Sequence, residues 1–146
     1  MTTRYPFPTR ANLGRAISTH VSETTGENQS ELRPYGCNMA NESEVQRYWS
    51  QIVMDFGKVD VLVIAARIVD NVEAENYDFK RWRNMMDINV DGTWLFAREA
   101  GKPMIQTQIK GSITLVASMP AMSATICVRP QKQAAYNASK GAVKIW

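Results

Sequence analysis

Two short apolar runs separated by one long amphipathic stretch limit what this chain can become. Val59-Asp60-Val61-Leu62-Val63-Ile64-Ala65-Ala66 is β-branched and almost uninterrupted in its apolar character, which is how a central strand buried on both faces of a parallel sheet reads. Gly111 to Ala117 repeats the pattern as a second buried strand that ends at Ser118. Between them a helical pattern runs from about Tyr77 to Gln106, with Trp82, Met86, Thr93, Ala97, Ala100 and Met104 along one stripe. Strand, helix, strand in this order predicts a parallel pair joined by a right-handed crossover. Asn89 falls on the apolar stripe. A polar side chain there needs buried hydrogen-bond partners, so it is either a structural bridge or part of a site.

The flanking sequence adds helices. Asn41 followed by Glu44 is a capping-box pattern ahead of Val45, Tyr48, Trp49, Ile52, Val53 and Phe56, and Gly57 closes that helix. Further upstream, Leu13, Ile17 and Val21 mark a short helical stripe, and a poor strand is expected around Arg33 to Met39. Pro6 and Pro8 make the leader irregular. The whole reads as one α/β domain over residues 1–146, three-layered with a parallel sheet.

Composition narrows the function by exclusion. The net charge of +3 is spread along the chain rather than gathered into a basic stripe, so no nucleic-acid partner is expected. No segment approaches the ~18 apolar residues of a membrane span, and residues 1–14 hold no apolar run of the signal-peptide kind. Cys37 and Cys127 have neither metal spacing nor a secreted-disulfide pattern, which fits reduced thiols in the cytoplasm. His20 is the only histidine, so neither a metal site nor a histidine-activated nucleophile has support.

The chemistry concentrates near the end of the sequence. Tyr136 and Lys140 stand four residues apart, on one helix face with Cβ atoms about 5–6 Å apart. An ammonium at that distance favours an ionised phenol, giving a candidate general acid or base. Ligands of parallel α/β sheets sit beyond the carboxyl ends of the strands. Ser118 lies at such an end, so Ser118, Tyr136, Lys140 and Asn89 can converge on one crevice.

From Asn41 to Trp146 the chain resembles the short-chain dehydrogenase/reductase family. The resemblance rests on Phe-Gly-Lys-Val-Asp-Val-Leu-Val from Phe56, Asp87-Ile88-Asn89-Val90, Ala117-Ser118 after an apolar strand, and Tyr136-x-x-x-Lys140. The texture of Glu75-Asn76-Tyr77-Asp78 and Ala134-Ala135-Tyr136-Asn137-Ala138-Ser139-Lys140 looks like the fungal sorbose-reductase and polyol-dehydrogenase branch. The resemblance implies a Rossmann-like fold, incomplete at both ends, and hydride transfer between NADP or NAD and a small carbonyl or polyol. Tyr136 would protonate the carbonyl oxygen and Ser118 would hold it. Lys140 would support the phenol and bind the nicotinamide ribose, while Asn89 would hold a relay water. The expected cofactor contacts are Gly14, Asn38, Asn89, Tyr136 and Lys140, and a homo-oligomer is compatible with the family.

Several positions depart from the family pattern. Phe7, Pro8 and Asn12 stand in the phosphate loop, of which only Gly14 survives, and Asn38 replaces an aspartate that touches the adenine. Arg67 replaces a glycine packed against the cofactor. Ser18 to Arg33 has no counterpart of the strand that selects NAD or NADP. These departures define a second reading, a non-catalytic remnant that associates with intact relatives.

Overall fold

The structure is a computed structural model that describes residues 33–108, 110–118 and 133–146. The chain divides into two units, Met1–Gly36 and Cys37–Trp146, and every described helix and strand belongs to the second. The expected helix stripe at Leu13, Ile17 and Val21 lies outside the described residues.

Helix α1, Glu42–Phe56, begins where its sequence says it should. The Asn41 Oδ1 accepts from the Glu44 N–H at 3.1 Å, satisfying one of the orphan donors of the first turn. The Glu44 carboxylate reaches back past the N-cap, accepting from the N–H of Asn38 at 3.0 Å rather than from that of Asn41. The Asn41 N–H instead donates to the Asn38 carbonyl at 3.0 Å. This explains why the strand expected at Arg33 to Met39 does not form. Pro34 has no N–H to give a ladder, and both backbone groups of Asn38 are committed to the helix cap. At the other end Gly57 adopts φ +78° and its N–H donates to the Val53 carbonyl at 2.8 Å, a conformation open to glycine at no steric cost.

Strands β1, Val61–Ile64, and β2, Ser112–Leu115, pair in parallel with Val61 opposite Ser112 and Ile64 opposite Leu115. The ladder extends one step at each end, through Ser112 N–H to Asp60 O at 2.9 Å and Val116 N–H to Ile64 O at 3.0 Å. The parallel pairing agrees with the sequence; the double-sided burial does not. Val61 and Val63 are 63% and 58% exposed, whereas Ile64 is 5% exposed. Among the described residues β1 has one neighbouring strand, and helix α3, Gly92–Gln106, packs against the pair. Leu62, Ile64, Ile113 and Leu115 therefore form the inner face, while Val61, Val63, Ser112 and Thr114 face outward.

The long helical segment is three pieces in register: α2, Phe79–Met86, a π-helical turn over Asp87–Asp91, and α3. The Gly92 N–H donates to the Asp87 carbonyl, five residues back, so the turn holds one residue more than an α-helical turn. That extra residue shifts the buried stripe. Met85 rather than Met86 is buried ahead of it, and Asn89, Thr93 and Ala100 are buried in and after it. Helix α4, Ala134–Ile145, packs on α2 and on the π-helical turn. No helix among the described residues is long and apolar enough to cross a membrane.

Candidate active site

Asn89 is wholly buried at the π-helical turn, and both ends of its amide are engaged. Its Oδ1 accepts from the Ile68 N–H at 2.8 Å, and its Nδ2 donates to the Ile68 carbonyl at 3.0 Å and the Ser139 hydroxyl at 3.0 Å, with the Met85 sulfur at 3.1 Å. The Ser139 hydroxyl passes its own proton to the Tyr136 carbonyl at 2.8 Å. One amide thus ties the loop after β1 to the helix of Tyr136 and Lys140. A buried polar group so completely paired fixes geometry instead of incurring the cost of an orphaned donor. The main-chain carbonyl of Asn89 accepts from the Thr93 hydroxyl at 2.7 Å.

Tyr136 is 8% exposed and packs with Met85 and Ala135, against which Ile68, Tyr77 and Trp82 also lie. Lys140, one turn on, is 2% exposed. Its Nζ donates to the Val116 carbonyl at 2.7 Å, at the carboxyl end of β2. Burial holds the ammonium below the ordinary lysine range; the neighbouring Tyr136 opposes that shift, and the positive charge of Arg67 adds to it. Lys140 forms no salt bridge among the described residues. An ammonium has three donors, and one carbonyl engages one of them.

Ser118 is partly buried, two residues beyond the carbonyl that Lys140 holds. Hydrogen bonds through Ser139 therefore join Asn89 to the main chain of Tyr136, Lys140 is the next residue of that helix, and Ser118 follows from the strand end that Lys140 grips. Asn38 is an exposed turn residue whose Oδ1 accepts from the Ala40 N–H at 3.2 Å. Gly14 lies outside the described residues. A buried ammonium thus stands one helical turn from a phenol, at the strand ends where α/β sheets take ligands.

Three contributors do not stand out as site residues in the sequence. Ser139 enters there only as part of the motif, although its place one residue from Lys140 and three from Tyr136 marks it as a bonding partner within the same helix. The main chain of Ile68 and the carbonyl of Val116 carry no signal in side-chain identity. A second tie closes the loop between β1 and α2: Val72 pairs with Gln133 as an isolated parallel bridge, and Gln133 Nε2 donates to Asn71 Oδ1 at 3.0 Å.

The model of the short chain dehydrogenase family matches residues 11–146. An NADH-dependent L-xylulose reductase of Ambrosiozyma monospora is 34% identical over 111 residues, which are 75% of this chain and 40% of that protein. A ribulose-forming D-arabinitol 2-dehydrogenase of Candida tropicalis is 34% identical over 77% of this chain and 39% of its own length. The chain thus spans about two fifths of the curated relatives it matches. Among solved structures, a short-chain type dehydrogenase/reductase from Mycobacterium marinum superposes with a TM-score of 0.79 over 92% of this chain and 50% of that one, at 24% identity, a likeness of fold.

Proposed function

The chain belongs to the short-chain dehydrogenase family, and from that premise we propose that it carries the site of a nicotinamide-dependent oxidoreductase interconverting a ketose-like carbonyl and a polyol-like secondary alcohol. The observation that carries this reading is the buried Lys140 ammonium, one helical turn from Tyr136 and bonded to the strand-end carbonyl of Val116. No carboxylate among the described residues pairs with it, and a cation is costly to bury unpaired. Its place is explained if it serves a bound ribose and the adjacent phenol.

NADP or NAD, when bound, supplies or accepts the hydride. Tyr136 gives its phenolic proton to the carbonyl oxygen in reduction and takes it back in oxidation, while Ser118 donates a hydrogen bond to the same oxygen. Lys140 would hold the nicotinamide ribose of the dinucleotide through its ammonium. Asn89 enters in a narrower role than its side chain suggested. Its amide is committed to Ile68 and Ser139, and its main-chain carbonyl accepts from the Thr93 hydroxyl. The choice between the two dinucleotides, like the contribution of Gly14, belongs to residues before Arg33.

A second reading, a non-catalytic form of the domain, is favoured by one feature: Arg67 is exposed at a position where the family carries glycine. The two readings separate in one experiment. Purified protein is assayed with a panel of ketoses and polyols and with NADPH and NADH, beside Tyr136→Phe. The proposed activity predicts turnover in the parent and a loss of roughly a hundredfold or more in the variant, the usual weight of a positioned general acid. Turnover that survives in Tyr136→Phe removes the mechanism. Absence of turnover with both dinucleotides leaves the non-catalytic form.

A further inference from the structure

We infer that Ser139 is a positioning residue: its buried hydroxyl sets where the turn that carries Tyr136 and Lys140 stands against the loop after β1. The geometry of this role rests on hydrogen bonds alone, and its catalytic consequence rests on the oxidoreductase reading. Ser139 is 0% exposed. The Tyr136 carbonyl can only accept, so the Ser139 proton goes there, at 2.8 Å. The Ser139 oxygen is then the acceptor for Asn89 Nδ2, at 3.0 Å.

Asn89 fixes the sense of this chain of bonds. It accepts from the Ile68 N–H through Oδ1 at 2.8 Å and donates to the Ile68 carbonyl through Nδ2 at 3.0 Å, so turning the amide over would set oxygen against oxygen and N–H against N–H. Nδ2 therefore faces Ser139, and the hydroxyl has one arrangement in which both of its bonds are made.

The carbonyl that Ser139 reaches is the one that closes the turn. In an α-helix the N–H of residue i+4 bonds the carbonyl of residue i, so within α4 the Tyr136 carbonyl is the acceptor of the Lys140 N–H. Ser139 shares that acceptor, a local back-bond of the kind that bends helices. Lys140 holds the same turn at a second point, through Nζ to the Val116 carbonyl at 2.7 Å. One turn is thus attached to the loop after β1 through Ser139 and to the end of β2 through Lys140. Without the hydroxyl the first attachment is lost, because Asn89 Nδ2 keeps only the Ile68 carbonyl and the Met85 sulfur, a weak acceptor. Alanine fills nearly the same space as serine, so the loss falls on the attachment rather than on the packing.

Three variants of the full chain separate positioning from bulk stability. Ser139→Ala removes the hydroxyl, Ser139→Thr keeps it, and Val45→Ala opens a cavity at a buried residue of α1, which packs mainly on α3. The first measurement needs no turnover. Lysine side-chain resonances are followed by NMR, with Lys140 assigned from Lys140→Met. Burial holds the Lys140 ammonium below the ordinary lysine range, so Ser139→Ala, by slackening the turn, is expected to raise its titration midpoint, while Val45→Ala leaves it in place. In the second measurement, turnover of the ketose and polyol panel, Ser139→Ala is expected to lower kcat roughly tenfold while KM for the sugar stays within about twofold, the pattern of a misplaced reacting group. Ser139→Thr recovers most of that loss. A Lys140 midpoint that Ser139→Ala leaves unmoved overturns the positioning role whatever the turnover. So does a fall in kcat that Val45→Ala matches, or that a folded Ser139→Thr does not recover. A parent chain that turns over nothing, but whose Lys140 midpoint moves in Ser139→Ala alone, removes the proposed activity and leaves the role of Ser139 in the fold of the site standing.

Discussion

Two tyrosines share the cluster around Met85, and their surroundings differ in kind. Tyr136 stands one turn from Lys140, which bonds the end of β2, whereas Tyr77 donates its hydroxyl to Asp70 Oδ1 at 2.7 Å and sets its ring edge-on to Trp82. Burial, reinforced by the Asp70 hydrogen bond and charge, pushes the Tyr77 phenol up to about 12, with Arg81 pulling weakly the other way. The sign follows from proton counting. Above the ordinary tyrosine pKa of about 10 the unfolded chain releases this proton while the folded chain retains it, so stability falls as pH rises toward 12. Alkaline titration followed by tyrosinate absorbance should show a phenol ionising near 12 that Asp70→Asn brings down; an unchanged curve in that variant would detach Tyr77 from Asp70. At this scale the sequence is informative wherever a side chain acts through its own functional group. Tyr136, Lys140 and Asn89 are all legible as members of one cluster. It is silent about Val116 and Ile68, which act through main-chain atoms that any residue would supply.

Helix α3 shows how far an element can be read from its pattern. Its stripe predicts burial of Thr93 and Ala100, as observed. Ahead of it the same periodicity selects Met86, because a period of 3.6 residues takes no account of a π-helical turn; the buried residue is Met85. The capping residues Asn41 and Gly57 are legible because caps are local, whereas the four-residue length of β1 depends on a partner distant in sequence. Glycines within α3 give a matched test of context against propensity. A Cβ on Gly92 would stand 2.7 Å from the Met39 Cβ and 3.0 Å from its carbonyl oxygen, while one on Gly101 would meet nothing within 4 Å. Alanine normally favours a helix interior over glycine by about 0.8–1 kcal/mol. Gly101→Ala should therefore raise the urea midpoint. Gly92→Ala should lower it, by about 1–3 kcal/mol of overpacking, because backbone at Met39 has to give. Two substitutions of the same sign would mean that the Gly92 contact is relaxed in solution.

At the scale of the whole molecule, the outer face of the sheet decides how the chain behaves in water. Val61 and Val63 are more than half exposed beside Ser112 and Thr114, while the opposite face is covered by α3. An apolar run that would suit a strand covered on both sides here has one side open, so the expected central strand presents valines to solvent. Covering a valine side chain is worth about 1.5 kcal/mol or more, and the gain is available to any apolar surface that approaches. The chain should accordingly bind a hydrophobic reporter dye in its folded state and show concentration-dependent association in sedimentation. Val61→Thr with Val63→Thr retains the β-branch that suits a strand and removes one methyl group from each apolar surface. This double variant should lower both dye binding and association while moving stability by no more than about 1 kcal/mol, as expected for two exposed positions. Ile64→Ala, on the covered face, should instead cost about 2–4 kcal/mol by opening a cavity under α3. If the valine pair proves as costly as Ile64, measured by urea unfolding, the outer face is covered in solution and the sequence pattern of a doubly buried strand is right.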